Sequence, residues 1–248
     1  MKLVRYEYDG IIRKGKLVDG FIYPQEEGPT FPLPLEEVIL HIPIEPTKII
    51  MVGLNYAKHA KEMGFATQRP EVPIIFIKPN SALQKNGGKI VMPPQSQQVE
   101  FEGELGVVIS VECKNVQKEA AVDVILGYFI ANDVTARDLQ PKLGQWTACK
   151  AFDTFLPVSS WIETEFDIKS AEITTKLNGE IRQNSPISTM LFSVEELIEY
   201  ISSIMTLMPG DVIITGSPPG IGKFDEGDII EVSISGLGSL FNEAQKAL

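Results

Sequence analysis

The chain has 248 residues, 44% of them hydrophobic, enough to bury one sizeable core or a core with a small appendage. Its formal net charge of −11, with no basic block to offset it, argues against nucleic acid as a partner, and an anionic substrate would need local cations or a metal. Lys2, Arg5 and Glu7 fall where a signal peptide has its apolar core, no apolar run approaches the roughly 20 residues of a membrane span, and Cys113 and Cys149 form neither a disulfide framework nor a zinc motif. The expectation is a soluble, cytoplasmic globular protein.

In chain order, residues 1–24 alternate apolar and polar positions around Asp9-Gly10 and Asp19-Gly20, turn dipeptides with a strand on either side. Pro29, Pro32, Pro34, Pro43 and Pro46 then crowd a stretch that reads as a connector with at most short extended pieces, because proline lacks a backbone donor. This sets a small N-terminal β unit and its connector, residues 1–47, apart from residues 48–248. Short apolar strands recur at 48–52, 74–77, 105–109, 124–131, 173–177, 212–215 and 229–234. Helical spacing is sparse, with a short segment at 56–63 and a longer one at 194–205, where Ser193 and Glu196 form a capping box. Many strands, few helices and no regular βα alternation predict a β-rich α+β fold.

The densest chemical signal is Glu100, Glu102 and Glu104, three alternating glutamates leading into the apolar run Leu105-Gly106-Val107-Val108-Ile109. In a strand these carboxylates share one face, which is costly at the mouth of a buried strand unless something cationic sits among them. Hard divalent cations such as magnesium or manganese suit oxygen ligands, although a solvated strand end explains the same pattern. After the strand at 124–131, a helical turn would place Asp133, Arg137 and Gln140 on one face, and the bland alternative is a helix cap with a surface ion pair. Joined to Glu102 and Glu104, Asp133 completes a set of oxygen ligands for an octahedral ion.

His59 stands three residues before Glu62, the spacing of a helical pair in which a carboxylate orients an imidazole and suits it to activate water. Such a pair is also an ordinary surface interaction. His41, among the connector prolines, receives no role. Residues 209–222 form a tight turn, a buried strand and a glycine- and proline-rich loop whose N–H groups can hold a carboxylate. The spacing of Gly216 and Gly222, and Phe224 after Lys223, exclude a P-loop, and Asp225 breaks the dinucleotide fingerprint.

Taken together, Val52-Gly53-Leu54-Asn55-Tyr56 with His59 and Glu62, Phe76-Ile77-Lys78-Pro79, Glu102-Gly103-Glu104-Leu105, Asn132-Asp133-Val134-Thr135-Ala136-Arg137-Asp138, Lys150-Ala151-Phe152-Asp153-Thr154 and the 209–222 loop resemble the fumarylacetoacetate hydrolase family, in the family's order across residues 48–248. The resemblance implies a mixed β-sandwich roll, usually a homodimer, with a short N-terminal β domain. It implies Mg2+ or Mn2+ held by Glu102, Glu104 and Asp133. It also implies that Arg137, Gln140 and Lys150 contact the carboxylate of a small 2-oxo acid, that Thr215 and Ser217 line the terminal loop, and that His59 and Glu62 activate water on a segment closing as a lid.

Leu54 stands where many acylpyruvate-hydrolysing relatives carry arginine, and Ser217 where threonine is common. The expected activity is hydrolytic C–C cleavage of an acylpyruvate-type 2,4-diketo acid. The runner-up is a 2-hydroxyhepta-2,4-diene-1,7-dioate isomerase or an oxaloacetate-type decarboxylase or tautomerase, since fold does not select among these. A third reading, a non-catalytic ion-binding β module, has no need of His59, Glu62, Arg137 and Lys150 beside the acids.

Overall fold

The computed structural model describes residues 1–141 and 145–247. The N-terminal unit is a meander of strands Lys2–Tyr8, Ile11–Val18 and Phe21–Pro24. Its two hairpins turn at Asp9-Gly10 and Asp19-Gly20, where all four residues have φ between 48° and 81°, the left-handed backbone that two-residue hairpins require. The connector contributes short pieces, Leu33–Pro34 and Ile39–His41, to the edges of this meander. Val4, Tyr6, Ile22 and Leu33 form a small core of their own. The unit is nevertheless continuous with the main sheet, because Lys2 and Leu3 pair with Glu163 and Ile162.

From that junction the main sheet runs through Ile125–Asn132, Gly103–Ile109, Val212–Ile214, Ile49–Gly53 and Ile74–Lys78. Pairing is antiparallel except where Val212–Ile214 meets Ile49–Gly53. Every residue of Gly103–Ile109 is buried, the property of a central strand covered on both faces. One face of the roll is closed by a second sheet ordered Glu180–Pro186, Glu172–Leu177, Ile229–Ile234, Gly238–Lys246 and Lys89–Met92. A three-stranded ribbon, Thr135–Ala136, Val99–Phe101 and Gly222–Lys223, sits at the mouth of the central strand. A single large core joins these layers.

The fold is thus β-rich α+β, a mixed sandwich roll. Helix Val194–Ile204 begins at the expected capping box: Ser193 N donates to Glu196 Oε2 at 2.9 Å and Glu196 N to Ser193 Oγ at 3.4 Å. It buries Val194, Leu197, Ile198 and Ile201, each worth about 1.5–3 kcal/mol of transfer free energy. The short helix Ala57–Glu62 is present as expected. The helical turn expected after Asp133 is not: Thr135 and Ala136 pair as a strand with Glu100 and Val99, and only a 3-10 turn, Arg137–Leu139, follows. Ladder bonds to the ribbon outcompete a helix there. Among the described residues, no helix is long and apolar enough to cross a membrane.

Candidate active site

The glutamates lie where the ribbon strand Val99–Phe101 hands over to the central strand, and Glu100, Glu102 and Glu104 are all buried. Asp133 follows strand Ile125–Asn132, and its N–H donates to Glu102 O at 2.8 Å while Asn132 Oδ1 accepts from Glu102 N at 2.9 Å. These two bonds lock the tips of neighbouring strands together. As a result carboxylate oxygens of Glu102, Glu104 and Asp133 lie within 4.8 Å of one another.

Among the described residues, three cations meet these acids. Lys150, buried in the short helix Thr147–Lys150, donates to Glu102 Oε2 at 2.9 Å, Asp133 Oδ2 at 2.5 Å and Thr135 Oγ1 at 2.8 Å. Arg137 donates through Nε to Glu100 Oε2 at 2.6 Å, through its terminal nitrogens to Glu102 and to Gln140 Oε1 at 2.5 Å. Lys78, at the end of strand Ile74–Lys78, donates to Phe155 O at 2.5 Å and Val134 O at 3.0 Å. Its ammonium also lies 2.6 Å from Asp133 Oδ1 as a buried ion pair, and among the described residues Oδ1 has no other donor.

Among the described residues, four carboxylates against three cations leave an imbalance that falls on Glu104. Burial, and then the negative charges of Asp133 and Glu102, push its pKa well above the usual carboxylate range, and Gly216 N, donating to Oε2 at 2.5 Å, only partly offsets this. Burial acts on Glu102 in the same direction, but Lys150 and Arg137 overcome it and hold that carboxyl well below the usual range. Lys150 is likewise pulled down by burial and raised more strongly by Asp133 and Glu102, so it is an ammonium and a donor, unsuited to act as a base. Burial lowers Lys78 despite Asp133.

The donor set fits a hard divalent cation. It supplies three carboxylates, among them a buried Asp133 oxygen met only by the Lys78 ammonium among the described residues, and one acid whose ionisation burial and then like charge disfavour. A cation among them removes both penalties.

One cavity brings His59, Glu102, Glu104, Asp133, Arg137, Gln140, Lys150 and Ser217 into its wall, with Leu54, Met63, Phe65 and Trp146 as its apolar side. His59 is buried and its Nδ1 lies 3.3 Å from Glu62 Oε2. Glu62 stands behind the imidazole, where Gly220 N donates to its carboxylate at 3.2 Å. Thr215 lies buried where strand Val212–Ile214 passes into the terminal loop, and its hydroxyl donates to Leu105 O at 3.0 Å.

Three residues of the motifs noted in the sequence, given no role there, also contribute. Glu100 and Lys78 pair with the site as described. Asn55 fixes the start of the 57–62 helix by donating to Phe192 O at 3.0 Å and Thr215 O at 2.8 Å and accepting from Phe192 N at 2.8 Å. Lys78 and Asn55 do carry a signal, a charged or amide side chain at or just beyond the end of an apolar strand. Leu54, facing the cavity, has φ 56°, a strained backbone for a branched side chain and a mark of functional constraint.

A family model described as fumarylacetoacetate (FAA) hydrolase, C-terminal, matches residues 48–245. The mitochondrial oxaloacetate tautomerase of Arabidopsis thaliana is 44% identical over 197 residues, covering 77% of this chain and 87% of that protein. The 5-carboxymethyl-2-hydroxymuconate delta-isomerase from Mycobacterium smegmatis superposes with a TM-score of 0.91 at 40% identity, over 100% of both chains. The fumarylpyruvate hydrolase from Pseudomonas aeruginosa, solved in complex with Mn2+ and pyruvate, gives a TM-score of 0.78 at 32% identity, over 82% of this chain and 91% of that one. The chain belongs to the fumarylacetoacetate hydrolase family, whose named members here are a tautomerase, an isomerase and a hydrolase.

Proposed function

We propose that this protein is a divalent-metal-dependent enzyme acting on small 2-oxo acids, and that it hydrolyses the C–C bond of an acylpyruvate-type 2,4-diketo acid. The observation carrying this reading is the meeting of a buried His59, backed by Glu62, with the three-carboxylate set in one cavity. Glu102, Glu104 and Asp133 would hold Mg2+ or Mn2+, which supplies Lewis acidity for the negative charge that develops on the 2-oxo acid.

The remaining work falls to side chains of the cavity wall. Arg137 and Gln140 orient the substrate carboxylate, Lys150 adds a fixed positive charge, and Ser217 offers a hydroxyl from the terminal loop. His59 takes a proton from water while Glu62 holds the imidazole and stabilises its charged form. The water oxygen adds to the carbonyl at position 4 and the bond between carbons 3 and 4 breaks. Its electron pair passes to carbon 3, which the imidazolium protonates, giving pyruvate and the free acid.

A second reading is favoured by Leu54, which puts an apolar side chain into the cavity where many acylpyruvate-hydrolysing relatives carry arginine. It assigns isomerisation of a 2-hydroxyhepta-2,4-diene-1,7-dioate type acid, or tautomerisation or decarboxylation of oxaloacetate. None of these adds water across a C–C bond.

Pyruvate release from an acylpyruvate, with oxaloacetate in parallel, in Mg2+ or Mn2+ and then in chelator, separates the two. Metal-dependent pyruvate and free acid from the acylpyruvate support hydrolysis; turnover of oxaloacetate alone overturns it in favour of the second reading. In the first case His59→Ala is expected to lower hydrolysis by about 10²–10⁴-fold and to spare any oxaloacetate turnover. Hydrolysis unaffected by that substitution removes the dyad from the mechanism.

A further inference from the structure

Gln183 belongs to strand Glu180–Pro186 of the second sheet, is 0% exposed, and stands behind the cavity wall, not in it. Three of its four side-chain hydrogen-bond capacities, both donors and one acceptor, are nevertheless spent on the site's framework. Its Oε1 accepts from Gly103 N at 3.0 Å, and its Nε2 donates to Ser217 Oγ at 2.8 Å and Pro218 O at 2.7 Å.

Both ends of this bridge are functional backbone. Gly103 separates Glu102 from Glu104. Ser217 and Pro218, with Pro219, separate Gly216, whose N–H holds Glu104, from Gly220, whose N–H holds Glu62. The contacts leave no slack on either side. A Cβ at Gly103 would stand 2.3 Å from Thr175 Oγ1 and 3.2 Å from Gln183 Oε1. At Gly220, φ is 98° and a Cβ would stand 2.0 Å from Arg182 O, so the loop lies directly on the strand that carries Gln183. A primary amide suits the bridge because one planar head offers an acceptor and two donors, whereas a carboxylate offers only acceptors and an aliphatic chain neither.

We propose that Gln183 is a positioning residue that keeps the terminal loop in register with the acid strand, and so sets where Glu62, and through it His59, stands relative to Glu102 and Glu104. The kinetic part of this proposal rests on the dyad reading above; the structural part concerns the acid set alone. A 1 Å error in such a register costs on the order of 10²-fold in rate without touching substrate contacts.

The test is a double-mutant cycle between Gln183→Met and Glu62→Gln, joined to Mn2+ affinity measured by electron paramagnetic resonance on the metal-free chain. Gln183→Met is expected to lower kcat at least about tenfold with KM within about threefold, and to cost less than about twofold once Glu62→Gln is present. Mn2+ affinity is expected to weaken about tenfold, as for other groups that orient metal ligands. An equal kinetic loss in both backgrounds, or an unchanged Mn2+ affinity, overturns the proposal.

Gln183→Glu, which keeps the volume and the acceptor for Gly103 N but loses both donors, carries the same expectations if the methionine variant does not fold. A wild-type chain that turns over no acylpyruvate removes the hydrolase reading instead. The Mn2+ titration then decides the positioning role by itself.

Discussion

Two buried carboxylate sites in this molecule have opposite characters. Asp211, with no exposure, accepts through Oδ1 from Thr47 N at 3.1 Å, Thr47 Oγ1 at 2.6 Å and Lys48 N at 3.0 Å. Its Oδ2 accepts from Met208 N at 2.7 Å and from the Lys48 ammonium. Five donors serve one carboxylate, and although burial alone would raise it, the Lys48 and Thr47 hydrogen bonds hold it below the usual range. At the acid set, carboxylates face one another, Asp133 Oδ1 meets only the Lys78 ammonium among the described residues, and Glu104 is driven upward. Burial is common to both sites, so burial does not mark function. The ratio of donors to carboxylate oxygens distinguishes them: a saturated acid is a structural knot, whereas an undersupplied set is suited to receive a cation.

The largest expected effect comes from removing one acid of the undersupplied set. Glu104→Gln keeps the volume and an acceptor for Gly216 N, and should abolish Mn2+ binding and lower metal-dependent turnover more than about 100-fold. Because the folded protein raises the Glu104 pKa, its ionisation opposes folding at neutral pH, so the metal-free variant should melt no lower than wild type. A lower melting temperature would show that Glu104 is a structural acid like Asp211.

The converse substitution, Asp211→Asn, should leave Mn2+ affinity unchanged and cost about 2–4 kcal/mol in denaturant unfolding, through lost charge-assisted bonds and a stranded Lys48. The folded state lowers the Asp211 pKa, so the stabilisation is complete above the unfolded value of about 3.9 and is lost as pH falls through the folded value. The gap between wild type and variant should therefore narrow in acid. A gap that stays constant down to low pH would mean that the amide and the carboxylate are held alike.

The acid strand was legible because periodicity alone carries it: alternation at Glu100, Glu102 and Glu104, then an unbroken apolar run, describes a strand end at a buried mouth. The capping box at Ser193 and Glu196 was equally local. What failed was local too, but outvoted. The four-residue spacing of Asp133 and Arg137 suggested a helix face, yet the ladder from Thr135 and Ala136 to Val99 and Glu100 set the backbone, and Arg137 reached the acids from a 3-10 turn.

Thr215 illustrates the same limit. Next to a loop glycine it reads as a loop hydroxyl, but its N–H and Oγ1 both donate to Leu105 O, ending a strand. Gln183 gave no signal, since Arg182-Gln183-Asn184 has the composition of a solvated hairpin. Only its pairing with Gly103, 80 residues away, makes it structural.

Glu196 gives the smallest effect and the finest test of the donor rule, because it is saturated like Asp211 but lies near solvent. Its carboxylate accepts from Ser193 N at 2.9 Å, Arg69 at 3.1 Å and the Lys118 ammonium at 3.1 Å, with the side chain 22% exposed. Burial would raise it, but the Ser193 N–H, Lys118 and Arg69 bring it to about 2. If saturation alone decided stability, Glu196→Gln would cost as much as Asp211→Asn. Water competes for these partners and screens the two cations, so the expected cost is only about 1 kcal/mol, or roughly 2–4 °C in melting temperature. By the same sign argument, that difference should be present above about pH 4.3 and fade as pH falls toward the folded value. A cost near that of Asp211→Asn would mean that the Arg69 segment, whose guanidinium also lies 4.2 Å from the Phe192 ring centre, is pinned as firmly as the core.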